Sequence, residues 1–461
     1  MGNSITSLNN VQNRFLIYSQ FTLFFTVIVF YIVMMFTQGK NHFAVELSFF
    51  ILMLQSIFCL CFIKLQKATL FRIYFFFSLI FFSLIPMLEY KAEVVYWQGL
   101  PFSNIDYVIT NVFLILINSI FVIIYIISFN WYQKKLKGSV SSSDVNSKIK
   151  ITALTKVLFV LISLSSLYIA LYMNNYSILS LLFRGGEFKE QTETSSSISL
   201  ILTYITKFLT FFCLLYGLSS FKSNKLYCMI VGIILLMVAA PTGMARFMVA
   251  AIYLPIMLII LPKLLHGSRL VGIMIFSIFI IFPYLNQFRQ LGSEKEFQVI
   301  PNFDFFLEGH FDSYQSLMRV LTEEFITWGY QLSGVLLFFV PRFVWLDKPV
   351  GSGALLAENF NYSFTNIAMN FYGEGLINFG LLGGFLFAVF LAWGVAYLDT
   401  KFWVKYRGYL NSNYAFMYLF LLGYLTFLLR GDLLSSFAFL CSALISGYAV
   451  NLIFKLTTYK Y

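Results

Sequence analysis

The feature that most limits what this chain can fold into is the recurrence of apolar runs about 20 residues long, the length of helix that crosses the hydrocarbon core of a bilayer. Such runs lie near 15–36, 43–63, 70–89, 108–130, 154–173, 197–219, 226–240, 247–262, 270–286, 374–398, 411–429 and 433–455. Inside lipid only helices or closed barrels satisfy every backbone polar group. The runs therefore predict an all-α polytopic membrane protein with about 12 transmembrane helices. The two runs between 226 and 262 are short and meet at a tight polar turn. Composition agrees, because 59% hydrophobic and 11% charged residues in a chain of 461 fall outside the soluble globular range.

The polar opening MGNSITSLNNVQN has no basic segment and no small-residue cleavage site, so the first run is expected to remain as an uncleaved span. Gly2 and Thr6 make only a loose acylation pattern, and a lipid anchor is redundant beside so many spans. Cys59, Cys61, Cys213, Cys228 and Cys441 all fall in apolar runs, at spacings that form neither a zinc site nor a disulfide framework. They are expected as small packing residues.

A net charge of +11 raises the question of an acidic partner. Placed on the map of spans, 19 basic residues share one side with only two acids, Asp144 and Asp399, while 11 basic residues and 18 acids occupy the other. That count leaves over Lys207, which sits well inside its run. The positive-inside rule then puts both termini in the cytoplasm. The basic excess records topology, and nothing in it forms the concentrated surface that nucleic acid requires. The longest cytoplasmic loop, 131–151, is too short to hold a nucleotide-binding domain.

Residues 1–286 thus read as a bundle of nine predicted spans, 287–373 as one long outer connection, and 374–461 as three further spans. The outer connection is too long to be a plain link. Its stretch FDFFLEGHFDSYQSLMRVLTEEFITWGYQL has the pattern of one or two amphipathic helices resting at the membrane interface, and Val335–Val340 is short enough to be re-entrant or interfacial.

Several polar residues fall on the outer side. Arg246, in AAPTGMARFMVAA, follows the helix-breaking Pro241 and Gly243. It either snorkels to the interface or joins the N–H groups of the next helix start in holding a phosphate. Arg430 and Asp432 occupy the abrupt turn LLRGDLLSS, where Asp432 is either a helix cap or a substrate contact. FVPRFVWLDKPVGSG brings Arg342 and Lys348 around Trp345, a pairing of cations with an interfacial ring that suits a lipid-borne diphosphate. Its GSG lacks the context of a phosphate loop.

Glu374, in MNFYGEGLINFG, serves either the helix dipole or, if dehydrated, as a base. Gly380 and Gly384 form a GxxxG spacing suited to helix packing. Arg289 opens the long connection, and Glu308, His310 and Asp312 follow without any established metal-ligand spacing, leaving His310 as an acid–base candidate. Lys207 inside its span and Arg184 in LLFRGGEFKE complete the set as substrate contacts.

Taken in order, GMARF at 243–247, VPRFVWLDKP at 340–349, NFYGEGLINFG at 370–380 and LLRGD at 428–432 resemble the O-antigen and related oligosaccharide repeat-unit polymerases of the bacterial envelope. Through topology the resemblance covers nearly the whole chain. It implies a GT-C-like membrane glycosyltransferase of the bacterial inner membrane, with its active site facing the periplasm. Such an enzyme transfers a growing glycan from undecaprenyl diphosphate to the non-reducing end of another lipid-linked repeat unit, without a cofactor or a metal. The implied partners are that lipid-linked oligosaccharide, the bilayer and a polysaccharide chain-length regulator.

By position, Arg246, Arg342, Lys348 and Arg430 match the basic residues of the family, with Glu374 and Asp432 following. A glycosyl diphosphate carries its own leaving group, so the protein mainly supplies cations for the departing charge and a base for the attacking hydroxyl. The expected catalytic set is Arg246, Arg342, Arg430, Glu374 and His310. The expected substrate contacts are Lys348, Arg289, Arg184, Lys207, Trp345 and Asp432. Two alternatives remain: an O-antigen ligase transferring to lipid A-core, which shares the donor chemistry, and a flippase, which calls for internal repeats and polar sites near the midplane.

Overall fold

A computed structural model of the chain describes residues 25, 31, 39–61, 67–137, 151–183, 197–220, 224–287, 303–406, 409–410 and 412–458. The first apolar run lies almost wholly outside them, as do Arg184 and Arg289. Among the described residues nine helices are long and apolar enough to cross a membrane. They are α1 (Phe43–Cys61), α2 (Leu70–Lys91), α3 (Asn104–Lys137), α4 (Ala153–Met173), α5 (Ser197–Ser219), α8 (Arg269–Gln287), α12 (Phe371–Thr400), α13 (Asn413–Arg430) and α14 (Leu433–Thr458). Two shorter apolar helices, α6 (Lys225–Val238) and α7 (Arg246–Ile260), stand between α5 and α8. Three more, α9 (Ser313–Thr322), α10 (Tyr330–Leu336) and α11 (Ser352–Asn359), belong to the long connection. The chain is an all-α, multi-pass membrane protein.

Helix starts follow the local sequence. Thr69, Thr152, Asn370 and Ser412 each turn a side-chain oxygen back onto a backbone N–H of the first turn of α2, α4, α12 and α13. Between the spans, hydrogen bonds supply specificity that apolar contact in lipid does not. Asn118 joins α3 to Ser78 and Tyr74 of α2, while Asn111 reaches Ser48 of α1 and receives Tyr314 of α9.

The helix ends sort into the two sets that the charge pattern separates. At one end Arg72 donates to Leu60 O and Gly267 O, Lys67 bridges His266, and Trp403 Nε1 donates to Ala68 O. Asp399, one of the two acids on this basic side, caps α2 through Leu70 N and Phe71 N and accepts from Tyr125 and Tyr418. The opposite end carries the long connection.

One expectation about that connection is corrected. α9 does not rest at an interface, since every residue from Ser313 to Val320 is buried against α3 and α12. Most of its polar side chains find partners inside the protein: Gln315 donates to Glu89 and Val94 O, and Arg319 reaches Glu323, Tyr362 and Leu100 O. Helix α12 is also broken, at Phe379 (φ −142°) and Gly380 (φ 61°, ψ −154°). The carbonyls freed there accept from the segment before α10, Thr327 N to Ile377 O at 2.6 Å and Gly329 N to Asn378 O at 2.9 Å.

Candidate functional site

α7 begins at Arg246 because the turn before it cannot continue a helix. Pro241 removes a donor, and Gly243 lies so near the carbonyls of the short helix Ile178–Leu182, which follows α4, that a Cβ would meet Leu181 O at 2.7 Å. Thr242 Oγ1 fastens the turn to Leu182 O at 2.6 Å. Arg246 is thereby buried on a first helical turn. Gly423 of α13 similarly lets α7 approach backbone to backbone, with Ala250 O only 2.4 Å from where its Cβ would be. That packing sets Arg430, the last residue of α13, beside Arg246.

The two arginines meet around His310. Arg246 donates to Asn286 Oδ1 at the end of α8, and its Nη2 lies 3.0 Å from His310 Nε2. The same imidazole nitrogen is 3.1 Å from Asn286 Oδ1 and 3.0 Å from Glu308 Oε2. In one tautomer it accepts from Arg246, and in the other it donates toward the carboxylate or the amide. Asn286 Nδ2 also donates to Glu308 Oε2 at 2.9 Å. Arg430 donates through Nε to His310 O at 2.8 Å and through Nη2 to Asp312 Oδ1 at 3.2 Å. Asp312 is buried, and its other oxygen accepts from Trp97 Nε1 and Ala368 N. Phe305 and Phe247 lie under the guanidinium groups of Arg246 and Arg430, at 4.9 and 5.2 Å.

Burial pulls the His310 pKa down to about 4, opposed by Glu308 and reinforced by Arg246 and Arg430. The imidazole is therefore neutral at physiological pH, and its contact with Glu308 is a hydrogen bond rather than an ion pair. Burial works against the Glu308 carboxylate, but His310, Asn286 and Arg246 outweigh it and hold the group below its usual range. At Asp312 burial prevails over Arg430 and the N–H donors, and the pKa rises.

Beside this polar cluster runs an apolar groove of about 520 Å³ between α2, α7, α8 and α13. It follows α7 from Phe247 to Leu261, roughly 20 Å at the helical rise. Phe247 and Leu285, the sequence neighbours of Arg246 and Asn286, both line it, as does Thr426 one turn before Arg430. One end of the groove is thus formed by the helix turns that carry the cluster.

Arg246, Arg430 and His310 are brought together, while the other candidates are placed elsewhere. Glu374 is wholly buried, with Ser352 Oγ donating to one oxygen at 2.6 Å and Leu433 N to the other at 2.9 Å. Asp432 accepts from Leu434 N at 2.9 Å, as a cap of α14, and from Gly353 N at 3.1 Å. Burial raises its pKa against those donors. Gly351 of the GSG stretch must be glycine for a packing reason, because a Cβ there would lie 2.4 Å from Asp432 Oδ2.

The segment 339–350 forms its own turn. Lys348 is buried, its ammonium capping Phe338 O at 2.7 Å and Val340 O at 2.9 Å, and burial followed by Arg342 lowers its pKa. Arg342 is exposed and donates to Lys348 O, and Trp345 is half-buried. Lys207 is half-buried within α5. Among the described residues no group of three or more His, Cys, Asp and Glu is arranged to hold a metal ion.

Sequence reasoning passed over Asn286, and it weighed Asp312 only as a metal ligand. Asn286 is the last polar residue of an otherwise apolar run, and pairing the end of α8 with the start of α7 as antiparallel neighbours would have pointed to it. Asp312 carried no comparable signal, since its partners Trp97, Ala368 and Arg430 are remote in sequence. No protein-family model matches this chain, and no curated protein or solved structure matches it.

Proposed function

We propose that the protein is a membrane glycosyltransferase that takes its glycan from a polyprenyl diphosphate carrier, acting as a polymerase of surface-polysaccharide repeat units. One observation carries this reading: an apolar groove that follows α7 ends at a pair of arginines around a neutral histidine. The groove suits a lipid tail, and its volume of about 520 Å³ lies in the usual range for small-molecule sites. The guanidinium groups suit the diphosphate to which that tail is joined. Among the described residues Arg430 Nη1 takes no protein partner.

In the proposed reaction a hydroxyl of the acceptor glycan attacks the anomeric carbon of the donor. The bond between that carbon and the diphosphate oxygen breaks, its electron pair leaves with the diphosphate, and Arg246 and Arg430 stabilise the charge. The hydroxyl proton passes to His310. Both His310 and Glu374 are base candidates by residue type, and exposure separates them. The side chain of His310 is 26% exposed, whereas Glu374 is 0% exposed with both oxygens engaged. Glu374 and Asp432 instead hold the start of α14 against α11. On this reading the twelve-span GT-C-like arrangement, the inner-membrane location and the cytoplasmic termini follow together, and the cluster faces the periplasm.

The test is reconstitution of the purified protein with a polyprenyl-diphosphate-linked repeat unit, following polymer length and release of the polyprenyl diphosphate. Arg246→Ala is expected to cost roughly 100-fold or more in rate, the scale of removing one preorganised donor to a developing anion. Normal polymer formation by that variant at subsaturating substrate would sink the assignment.

A further inference from the structure

Two loops on the cluster side of the molecule, 92–103 and 360–368, are joined to each other. Ser363 N donates to Trp97 O at 3.0 Å, and the rings of Trp97 and Phe364 meet at 4.7 Å with 33° between their planes. Four side-chain-bearing residues here have left-handed backbone, Glu93 (φ 55°), Trp97 (φ 58°), Gln98 (φ 55°) and Asn361 (φ 54°), a conformation that persists only where the surroundings impose it. The indole is fixed from two further directions. It packs so tightly on Gly309 that a Cβ there would lie 2.1 Å from the ring, and its Nε1 donates to Asp312 Oδ2 at 3.2 Å. Gly309 precedes His310, and Asp312 holds Arg430. The Trp97–Phe364 pair is therefore built onto the same short segment that presents the imidazole.

Phe364 itself is 44% exposed, and its neighbours set it apart from the other exposed rings. Trp328 and Phe343 are each flanked by exposed apolar side chains, Tyr330 for the first and Val344 and Leu346 for the second, as expected of residues that meet lipid. Phe364 lies instead within NYSFTN, where Asn361, Ser363, Thr365 and Asn366 are all exposed. An exposed apolar ring in a stretch of exposed amides and hydroxyls matches a ligand that has both an apolar face and a rim of hydroxyls. A pyranose ring is such a ligand.

We propose that Phe364, backed by Trp97 and bordered by Asn361, Ser363, Thr365 and Asn366, is a stacking platform for a sugar ring of the acceptor glycan. The proposal rests on the glycosyltransferase reading and deepens it, by assigning the place where the acceptor lies before its hydroxyl reaches His310. The full-length protein in nanodiscs is titrated with two separate probes: a panel of short neutral oligosaccharides of hexoses and N-acetylhexosamines, and farnesyl diphosphate. At least one oligosaccharide is expected to bind. Phe364→Ala should weaken it about tenfold, the scale of losing one stacked ring, while Phe364→Trp should bind it as the parent does and farnesyl diphosphate binding stays unchanged in both.

Unaltered saccharide binding in Phe364→Ala overturns the platform. So does a Phe364→Trp indole that is quenched by brominated lipid and unaffected by the saccharides, which would make this a membrane-interface ring. If farnesyl diphosphate binds in an Arg246-dependent way and no oligosaccharide binds, the platform falls and the glycosyltransferase reading stands. If neither probe binds, both fall.

Discussion

A neutral imidazole between two guanidinium groups fixes the pH behaviour of the cluster at the level of a single residue. The ordinary His310 value of 6.5 is lowered to about 4, so the base form persists well into acid. The kcat/KM of the free enzyme should therefore stay level from neutrality to about pH 5 and fall only as pH passes through about 4. Replacing Arg430 by Gln removes one of the charges that hold the proton off, and the acid limb should move up toward 6.5. A limb that begins near 6.5 in the parent protein would show that burial and the two arginines do not keep the imidazole neutral into acid. Stability has the same sign: between those two values the unfolded chain binds a proton that the folded one refuses, so the fold weakens on acidification through that window. His310→Gln keeps the size of the side chain and removes the base, with an expected loss of about 100- to 10,000-fold in rate.

Between helices, glycines decide which ends meet. Gly423 is the contact at which α13 lies on Ala250 and Ala251 of α7. Gly423→Leu should force the two helices apart at a cost of about 1–3 kcal/mol. Because Arg246 and Arg430 sit on those helices, farnesyl diphosphate binding should fall along with the thermal midpoint in detergent. A variant that lost stability and kept full binding would show that the register of α7 and α13 does not build the cluster. At Gly380 the backbone lies in a region open essentially to glycine alone, so Gly380→Ala should cost about 1–3 kcal/mol and free the Ile377 and Asn378 carbonyls from their capping segment. Protease cleavage between 323 and 332 should then accelerate.

These elements also show how far the chain could be read unaided. Span positions were legible because a lipid-crossing helix must be apolar for about 20 residues whatever surrounds it. Arg246 and Arg430 were legible because each sits at the edge of an apolar run, and His310 because it is the one histidine of the long outer connection. α9 was misplaced, since an amphipathic pattern reports that a polar face exists and not whether Glu89, Asn111 and Tyr362 or water will satisfy it. Lys348 likewise shows a charge whose partners are carbonyls of its own turn, which no side-chain pattern encodes.

For the molecule as a whole, the proposed function turns on which side of the membrane the cluster faces. The contacts sort helix ends into two sets, one holding Arg72, Asp399 and Trp403 and the other holding Arg246, His310 and Arg430. On the proposed reading the first set faces the cytoplasm, because Lys and Arg near short loops resist translocation. Impermeant maleimide labelling checks this directly. The free cysteines are buried except for the half-buried Cys441, and all lie in apolar helices, so the background should be low. In right-side-out vesicles Asn366→Cys, exposed beside the cluster, should label at once. Lys455→Cys, exposed near the end of α14, should label only after detergent opens the vesicles. The reverse pattern would put the arginine pair in the cytoplasm, away from flipped lipid-linked glycans, and the polymerase reading would not survive it.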